Sequence, residues 1–309
     1  MDVMPESLTA VRSRIEALGM DFRFKGTIRT GINGIERETW LLDYQGEPFV
    51  YVAGQRDVVL GWDVGACPLG EGVLEGLRAE FAEGHADCEG EMESLRAHYR
   101  SEIRKASAEG DSRRAQELAV ALERGLAETE KEYAEMGYRN WEDFMDRWED
   151  ELRRTLSPLR TADIGDMIVE VDSRYFREDA PSLEQAVRSL KGGPFGLATE
   201  DEWEYLCNGG ARTLFWWGDV LDSDILAGIY RKGRLKSSNV LGLRIAYNSY
   251  KNEIIDDTRY TKGGDGGGAL CGGNGAIHVL PCYSAFYRYP WRGSVRKEDF
   301  CYRRILRLT

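Results

Sequence analysis

The pattern of apolar and β-forming residues divides the N-terminal part of the chain into two segments. Residues 5–20 carry apolar side chains at the spacing of one helix face, namely Leu8, Val11, Ile15 and Leu18. Residues 22–62 are instead rich in β-forming residues and are divided by glycine-containing turns. The strands predicted there are Phe22–Ile28, Glu38–Tyr44, Pro48–Ala53 and Asp57–Trp62. The pattern therefore predicts a small α/β segment over residues 1–70, part of which joins a core sheet.

The pattern changes over residues 71–156, which are rich in Glu, Arg, Ala and Leu and poor in Gly and Pro. Apolar positions there follow helical spacing, and Gly110-Asp111 indicates a break between two long helices. Acidic residues outnumber basic ones, which argues against a nucleic-acid or calmodulin-binding helix. A stripe of large apolar residues follows at helical spacing: Trp141, Phe144, Met145 and Trp148. We predict a charged helical hairpin that this stripe docks onto the main domain.

The strongest local signal lies in residues 197–219. Thr199 and Glu202 have the spacing of a capping box at a helix N-terminus, and Asn208-Gly209-Gly210 provides residues that end a helix. An aromatic run, Phe215–Trp217, follows and closes with Gly218-Asp219. These residues predict a short capped helix that leads into a buried aromatic turn.

This segment resembles the formylglycine-generating, or sulfatase-modifying, proteins. The Thr-Glu-x-Glu-Trp-Glu-Tyr helix, the glycine pair and the Trp-Gly-Asp sequence are shared with that family. The resemblance extends over residues 158–309 and, loosely, over residues 48–65. It implies an α+β fold in which residues 157–309 form a C-type-lectin-like domain. The α/β segment 1–70 precedes this domain, and the hairpin 71–156 is inserted between them.

The resemblance also carries an expectation about chemistry. The family's oxidase holds copper between two cysteines five positions apart, just before a Tyr-Arg-Tyr-Arg run, and soft thiolates suit Cu(I). Here Tyr287-Arg288-Tyr289 matches the run, but Phe286 occupies one ligand position and Cys282 lies one residue out of register with the other. The required pair is absent, which argues against copper and against the family's oxidase activity. Cys271 and Cys282 could form a substitute pair beside Arg288, or both could be small buried apolar residues.

A second expectation from the resemblance is a site for structural calcium. Relatives bind structural calcium with Asn and Asp side chains and backbone carbonyls. Hard oxygen donors occur in the corresponding region, at Asn239, Asn248, Asn252 and Asp256. Loop Asn and Asp residues are also frequent turn formers, so calcium enters only as a hypothesis.

The glycine-rich stretch Lys262–Gly275 invites comparison with a phosphate-binding loop. It lacks the Lys-Ser/Thr of a P-loop, and no clear helix is expected after it. Nucleotide binding is therefore not expected. His278, just after this stretch, is interpreted as a strand residue rather than a catalytic base.

Composition narrows the class of partner. A formal net charge of −12 over 309 residues argues against nucleic acid and against an anionic membrane surface. Neither a signal peptide nor a membrane-spanning run is visible, which favours a cytoplasmic protein. The six cysteines include no CxxC pair, so we expect free thiols. With only three histidines, a histidine-rich metal centre is not expected.

Taken together, these features predict a diverged, non-oxidase binding module. Its groove, at Tyr287, Arg288 and Tyr289, is expected to bind a peptide or small ligand or to hold a partner protein. The competing hypothesis is a metal-dependent oxidoreductase that uses Cys271 and Cys282. A third is a structural subunit whose contact surface is the hairpin 71–156.

Overall fold

A computed structural model describes residues 8–32, 35–232, 235, 238–273 and 275–308. The α-helices of these residues are α1 (Leu8–Ala17), α2 (Glu71–Ala108), α3 (Ser112–Glu135), α4 (Trp141–Thr155), α5 (Leu183–Ser189), α6 (Glu200–Asn208), α7 (Ser223–Lys232), α8 (Gly268–Cys271) and α9 (Gly275–Val279). A 3₁₀ helix, Leu280–Tyr283, follows α9 directly. The first predicted helix is thus present from Leu8 onward, while its residues 5–7 lie outside the described part of the chain.

The strands are β1 (Arg23–Ile32), β2 (Ile35–Tyr44), β3 (Glu47–Val52), β4 (Gln55–Leu60), β5 (Arg160–Ile164), β6 (Met167–Glu170), β7 (Arg174–Tyr175), β8 (Asn252–Ile254), β9 (Tyr260–Thr261), β10 (Tyr289–Pro290), β11 (Phe300–Tyr302) and β12 (Ile305–Arg307). An antiparallel sheet with the order β1-β2-β3-β6-β12 joins the N-terminal strands to the C-terminal region. Smaller sheets pair β4 with β5, β9 with β10, and β7 with β11 and β8. The fold is therefore mixed α+β, and the N-terminal segment contributes strands to the main sheet.

Strand β3 shows how the sheet is buried on both sides. Successive side chains of a strand point to opposite faces. Val50 and Val52 accordingly belong to the main core, whereas Phe49 and Tyr51 belong to a second cluster with Val11 and Ile15 of α1. The sheet thus lies between α1 and the main core.

The hairpin is confirmed as two long antiparallel helices. The Asp111 side chain accepts a hydrogen bond from the backbone N–H of Arg114 and so caps α3 at the predicted break. In α4, Phe144 and Trp148 are fully buried, as the stripe predicted. Val73 and Leu77, near the start of α2, are also fully buried. The base of the hairpin is therefore part of the core, and its charged faces lie farther out along α2 and α3.

The end of α4 is joined to the segment that precedes β10. The backbone N–H of Arg288 donates to the carbonyl of Thr155 over 2.8 Å, and the N–H of Ser157 donates to the carbonyl of Phe286 over 2.9 Å. These bonds satisfy backbone groups at a helix C-terminus, where carbonyls otherwise lack partners. They also fix the last turn of α4 beside Arg288.

The capped helix predicted over residues 199–208 is confirmed as α6. Both hydrogen bonds of the Thr199–Glu202 capping box are present, and Gly209 ends the helix with a φ of 62°, in the left-handed region that glycine tolerates. Trp203 and Trp216 lie in the same core cluster. The helix is therefore central to the fold, as its sequence suggested.

Two local expectations were wrong. Short helices α8 and α9 do follow the first glycines of the Lys262–Gly275 loop. The Asp265 carboxylate accepts hydrogen bonds from the N–H groups of Gly267 and Ala269, which stabilises the start of α8. His278 accordingly lies in α9 and not in a strand. Helices this short depend on side-chain caps and tertiary packing rather than on hydrophobic periodicity.

Candidate functional site

A cavity of about 490 Å³ opens where three distant parts of the sequence meet. One wall is the turn after β4, from Trp62 to Gly65, and another is the last turn of α4, with Arg153 and Arg154. Tyr260 and Arg288 form the third wall. The docking of α4 against the segment before β10 therefore creates this cavity.

Arg288 is held in the cavity wall by a carboxylate and an aromatic ring. Its Nε donates to Glu200 Oε1 over 2.6 Å, and its Nη2 donates to the other oxygen of the same carboxylate. The guanidinium carbon lies 4.8 Å from the ring centre of Tyr260, a cation–π distance. A two-point ion pair and a ring contact together fix the orientation of the guanidinium.

The other two residues of the predicted groove lie elsewhere. Tyr287 and Tyr289 stack on each other, with ring centres 6.4 Å apart, and neither belongs to the cavity wall. Tyr287 is nearly fully buried next to Cys282, and this burial raises the pKa of its hydroxyl. The alternation of an extended segment explains the separation, because Arg288 points away from its two neighbours.

A network of buried charges adjoins Arg288. The Nζ of Lys262 lies 2.8 Å from Glu204 Oε1 and 3.2 Å from Glu200 Oε1, and the side chains of Lys262 and Glu204 have no exposed surface. Arg160 lies 3.2 Å from the other oxygen of Glu204. Buried carboxylates need such cationic partners. Because Glu200 contacts both Lys262 and Arg288, the network anchors the guanidinium from the core.

The sequence did not single out Lys262, Glu204 or Glu200 as a unit. The available signal was the spacing of Glu200 and Glu204, which are four residues apart and therefore share one face of α6. Two carboxylates on one face of a helix with a buried tryptophan indicate buried counter-charges. No comparable signal marks Lys262, which stands in a glycine-rich loop.

The electrostatics of the network are clearest at Glu200. Burial raises the pKa of its carboxyl, but the hydrogen bond from Arg288 and the charges of Lys262, Arg288 and Arg160 outweigh that effect and hold the pKa at about 2. Its ordinary value is 4.5. Glu200 therefore stays ionised over the whole physiological pH range.

This shift predicts how stability depends on pH. Because the pKa of Glu200 is lower in the folded state, its ionised form stabilises the fold above pH 4.5, and this contribution is lost as the pH falls from 4.5 to about 2. The difference in free energy of unfolding between the wild type and Glu200→Gln should therefore shrink across this range. Urea denaturation at a series of pH values measures it.

The matched control for this experiment is Glu184→Gln. Glu184 pairs with Arg188 on an exposed face, with 64% of its side-chain surface accessible, so its substitution should change stability little at any pH. A gap between wild type and Glu200→Gln that stays constant from pH 6 to pH 2.5 would contradict the assignment of the lowered pKa to Glu200.

The two candidate cysteines have different surroundings. Cys271 is exposed, so the expectation that both cysteines are buried is wrong for this residue, and its Sγ lies 3.1 Å from the hydroxyl of Tyr250. Cys282 is 1% exposed, its thiol donates to the carbonyl of His278 over 3.4 Å, and burial raises its pKa well above the usual range. Copper binding requires thiolates, so this burial disfavours Cys282 as a ligand. The pair beside Arg288 remains a prediction.

The proposed calcium donors are occupied by contacts within the protein. The Asn239 oxygen accepts hydrogen bonds from two backbone N–H groups, and its nitrogen donates to two backbone carbonyls. Asn248 accepts a bond from the N–H of Tyr250, Asn252 accepts one from the Thr261 hydroxyl, and Asp256 pairs with Lys191 at 2.5 Å. The bonds of Asn239 and Asn248 to nearby backbone N–H groups are those of turn-forming residues, whereas the contacts of Asn252 and Asp256 join more distant parts of the chain. Calcium stays a prediction that these contacts do not favour.

In the described part of the chain, no group of three or more His, Cys, Asp or Glu side chains is arranged to hold a metal ion. None of the helices in the described ranges combines the length and apolar character that crossing a membrane requires.

Comparison with known proteins does not assign the chain to a family. No protein-family model matches it, and no curated protein matches it.

Proposed function

We propose that this chain is a diverged, non-oxidase relative of the formylglycine-generating proteins and that it binds a small molecule or a peptide segment in the cavity beside Arg288. The observation that carries the proposal is this cavity. Its volume of about 490 Å³ lies within the usual range for ligand sites, which is roughly 300–1,000 Å³. Trp62, Leu156 and Pro158 supply apolar surface to its wall, and arginines supply a few polar groups.

The rigidity of the wall supports binding as the role of the cavity. The end of α4 is hydrogen-bonded to the backbone of Arg288, and the Arg288 side chain is fixed by Glu200 and Tyr260. A site whose groups are already ordered loses less entropy when a ligand binds. Buried Cys282 lies next to Tyr287, on the side of the segment away from the cavity, so the binding proposal requires no thiol.

Filling the cavity tests the proposal without knowledge of the natural ligand. In Gly65→Trp, a large side chain is added at an exposed position of the wall, where a Cβ would meet only the Asp63 carboxylate, at 3.3 Å. We expect a fragment screen by saturation-transfer NMR to find small molecules that bind the wild type and no longer bind Gly65→Trp. The fold should remain intact, because the position is exposed and the added Cβ would meet no backbone atom within 4 Å.

The matched control is Gly90→Trp, an exposed position of α2 where a Cβ would meet nothing within 4 Å. This variant should bind the same fragments as the wild type. The proposal is overturned if no fragment binds the wild type, or if the fragments bind Gly65→Trp equally well. Anaerobic titration with Cu(I) tests the proposal that the chain is not an oxidase. Binding of one copper per chain by Cys271 and Cys282 would contradict it.

A further inference from the structure

The charged residues in the cavity wall are mostly cationic, although the chain as a whole is acidic. Arg153, Arg154 and Arg288 line the cavity, and Asp63 is the only carboxylate among its described lining residues. The Oδ1 atom of Asp63 already accepts hydrogen bonds from the N–H groups of Gly65 and Ala66, over 2.8 and 3.0 Å. A ligand in this cavity therefore meets guanidinium groups from two walls.

Two of these guanidinium groups are bound in the same way. In Arg154, Nε and Nη2 donate to Glu151 over 3.1 and 2.6 Å, and in Arg288 the same two nitrogens donate to Glu200. The Nη1 of each has no hydrogen-bond partner among the residues that the structure describes. One edge of each guanidinium is thus anchored, and the N–H donors of the remaining nitrogen are free for a ligand.

The carboxylate partners of Arg154 and Arg288 determine whether a ligand is held by net positive charge or by directed hydrogen bonds. Because Glu151 and Glu200 balance the charges of the two arginines, the wall has little excess charge and holds a ligand through directed N–H donors. Such donors favour a group with several acceptor oxygens. Stacking of a ligand ring on Tyr260 is disfavoured, because the guanidinium carbons of Arg259 and Arg288 each lie 4.8 Å from its ring centre.

We infer that the ligand of this cavity carries an oxyanion, a carboxylate or a phosphate group, which Arg154 and Arg288 bind through their free Nη1 donors. This inference rests on the proposed function and adds the chemical class of the ligand. It also identifies Arg154, which the sequence did not mark, as a residue that contacts the ligand.

The test is calorimetric titration of the full chain with inorganic phosphate, succinate and, as a neutral probe, succinamide, all at constant ionic strength. Arg154→Gln removes one donor at a mostly exposed side chain, and Glu151 keeps His278 as a neighbour at 3.5 Å. We expect Arg154→Gln to bind the preferred anion at least about tenfold more weakly, the usual loss for a charged hydrogen bond. A preference for phosphate or for succinate shows whether the oxyanion of the ligand is a phosphate or a carboxylate. Succinamide should not bind measurably.

Arg147→Gln is the matched control. Arg147 lies on the same helix and, like Arg154, pairs with a carboxylate one turn earlier, Asp143 at 3.0 Å, but it does not line the cavity. The anion affinity of the Arg147→Gln variant should stay within about twofold of that of the wild type, as expected for a remote surface charge. Gly65→Trp should abolish anion binding, which locates the probes in the cavity.

The outcomes separate this inference from the proposed function. If fragments bind the cavity and are displaced by Gly65→Trp, but neither anion binds, the inference is wrong and the binding function stands. Equal anion affinity of Arg154→Gln and wild type, or anion binding that survives Gly65→Trp, also overturns the inference. If neither fragments nor anions bind the wild type, both proposals fail.

Discussion

Replacing Lys262 with methionine is expected to lower the free energy of unfolding by about 3–5 kcal/mol, the usual cost of removing one partner from a buried ion pair. Lys262 has no exposed surface, and its Nζ lies between Glu204 and Glu200 at 2.8 and 3.2 Å. Methionine keeps much of the volume but removes the positive charge. Glu204 then stays fully buried with Arg160 as its remaining cationic partner. Urea denaturation at neutral pH measures the loss.

Two further variants distinguish this loss from a general effect of removing a lysine. Lys105→Met removes an exposed partner of Glu102 and should cost less than about 1 kcal/mol. The double variant Lys262→Met/Glu204→Gln should lose less than the sum of its single substitutions, because it removes both charges of the buried Lys262–Glu204 pair. A loss for Lys262→Met no larger than that for Lys105→Met would contradict the account of the network.

The second large effect is expected for Phe144→Ala, which should destabilise the protein by about 3–5 kcal/mol, as truncation of a buried phenylalanine usually does. Phe144 is fully buried in α4, and its ring centre lies 5.7 Å from that of Trp141 and 5.8 Å from that of Tyr138. Alanine would leave a cavity where α4 meets the base of the hairpin. Chemical denaturation measures this loss as well.

Val120→Ala provides the comparison for Phe144→Ala. Val120 lies in α3 with 52% of its surface exposed, so its truncation should change stability by no more than about 0.5 kcal/mol. Equal losses in the two variants would mean that α4 does not dock the hairpin onto the core. Since α4 also carries Arg153 and Arg154 to the cavity, that result would weaken the account of the site.

Local sequence signals predicted much of the fold. The capping box at Thr199 and the break at Gly110-Asp111 involve residues three or four positions apart, so they can be read without knowledge of the tertiary structure. The β-forming residues and glycine-containing turns of residues 22–62 predicted four strands, with bounds within a few residues of the observed ones. The short helices α8 and α9 could not be predicted in this way, because Asp265 stabilises the start of α8 and the buried side chains of Ala276 and Ile277 hold α9 in the core.

The cavity could be predicted only in part. Arg288 was singled out by the resemblance to a family motif, and it does lie in the cavity wall. Arg154 and Trp62 lie more than a hundred residues from Arg288 in the sequence. The carbonyl of Thr155 accepts a hydrogen bond from the N–H of Arg288, and the carbonyl of Ser157 accepts one from the N–H of Trp62. No spacing in the chain encodes these contacts. The burial of Lys262 likewise depends on α6, which brings Glu200 and Glu204 to it.

The most direct test of the central claim, that the cavity beside Arg288 is a ligand site, is a crystal structure of the wild-type protein soaked with phosphate and with the fragments found by NMR. We expect electron density for these molecules between residues 62–65, the end of α4 and Arg288, with an oxyanion within hydrogen-bond distance of Arg154 and Arg288. Density for the soaked molecules only at other surfaces, with this cavity empty, would contradict it.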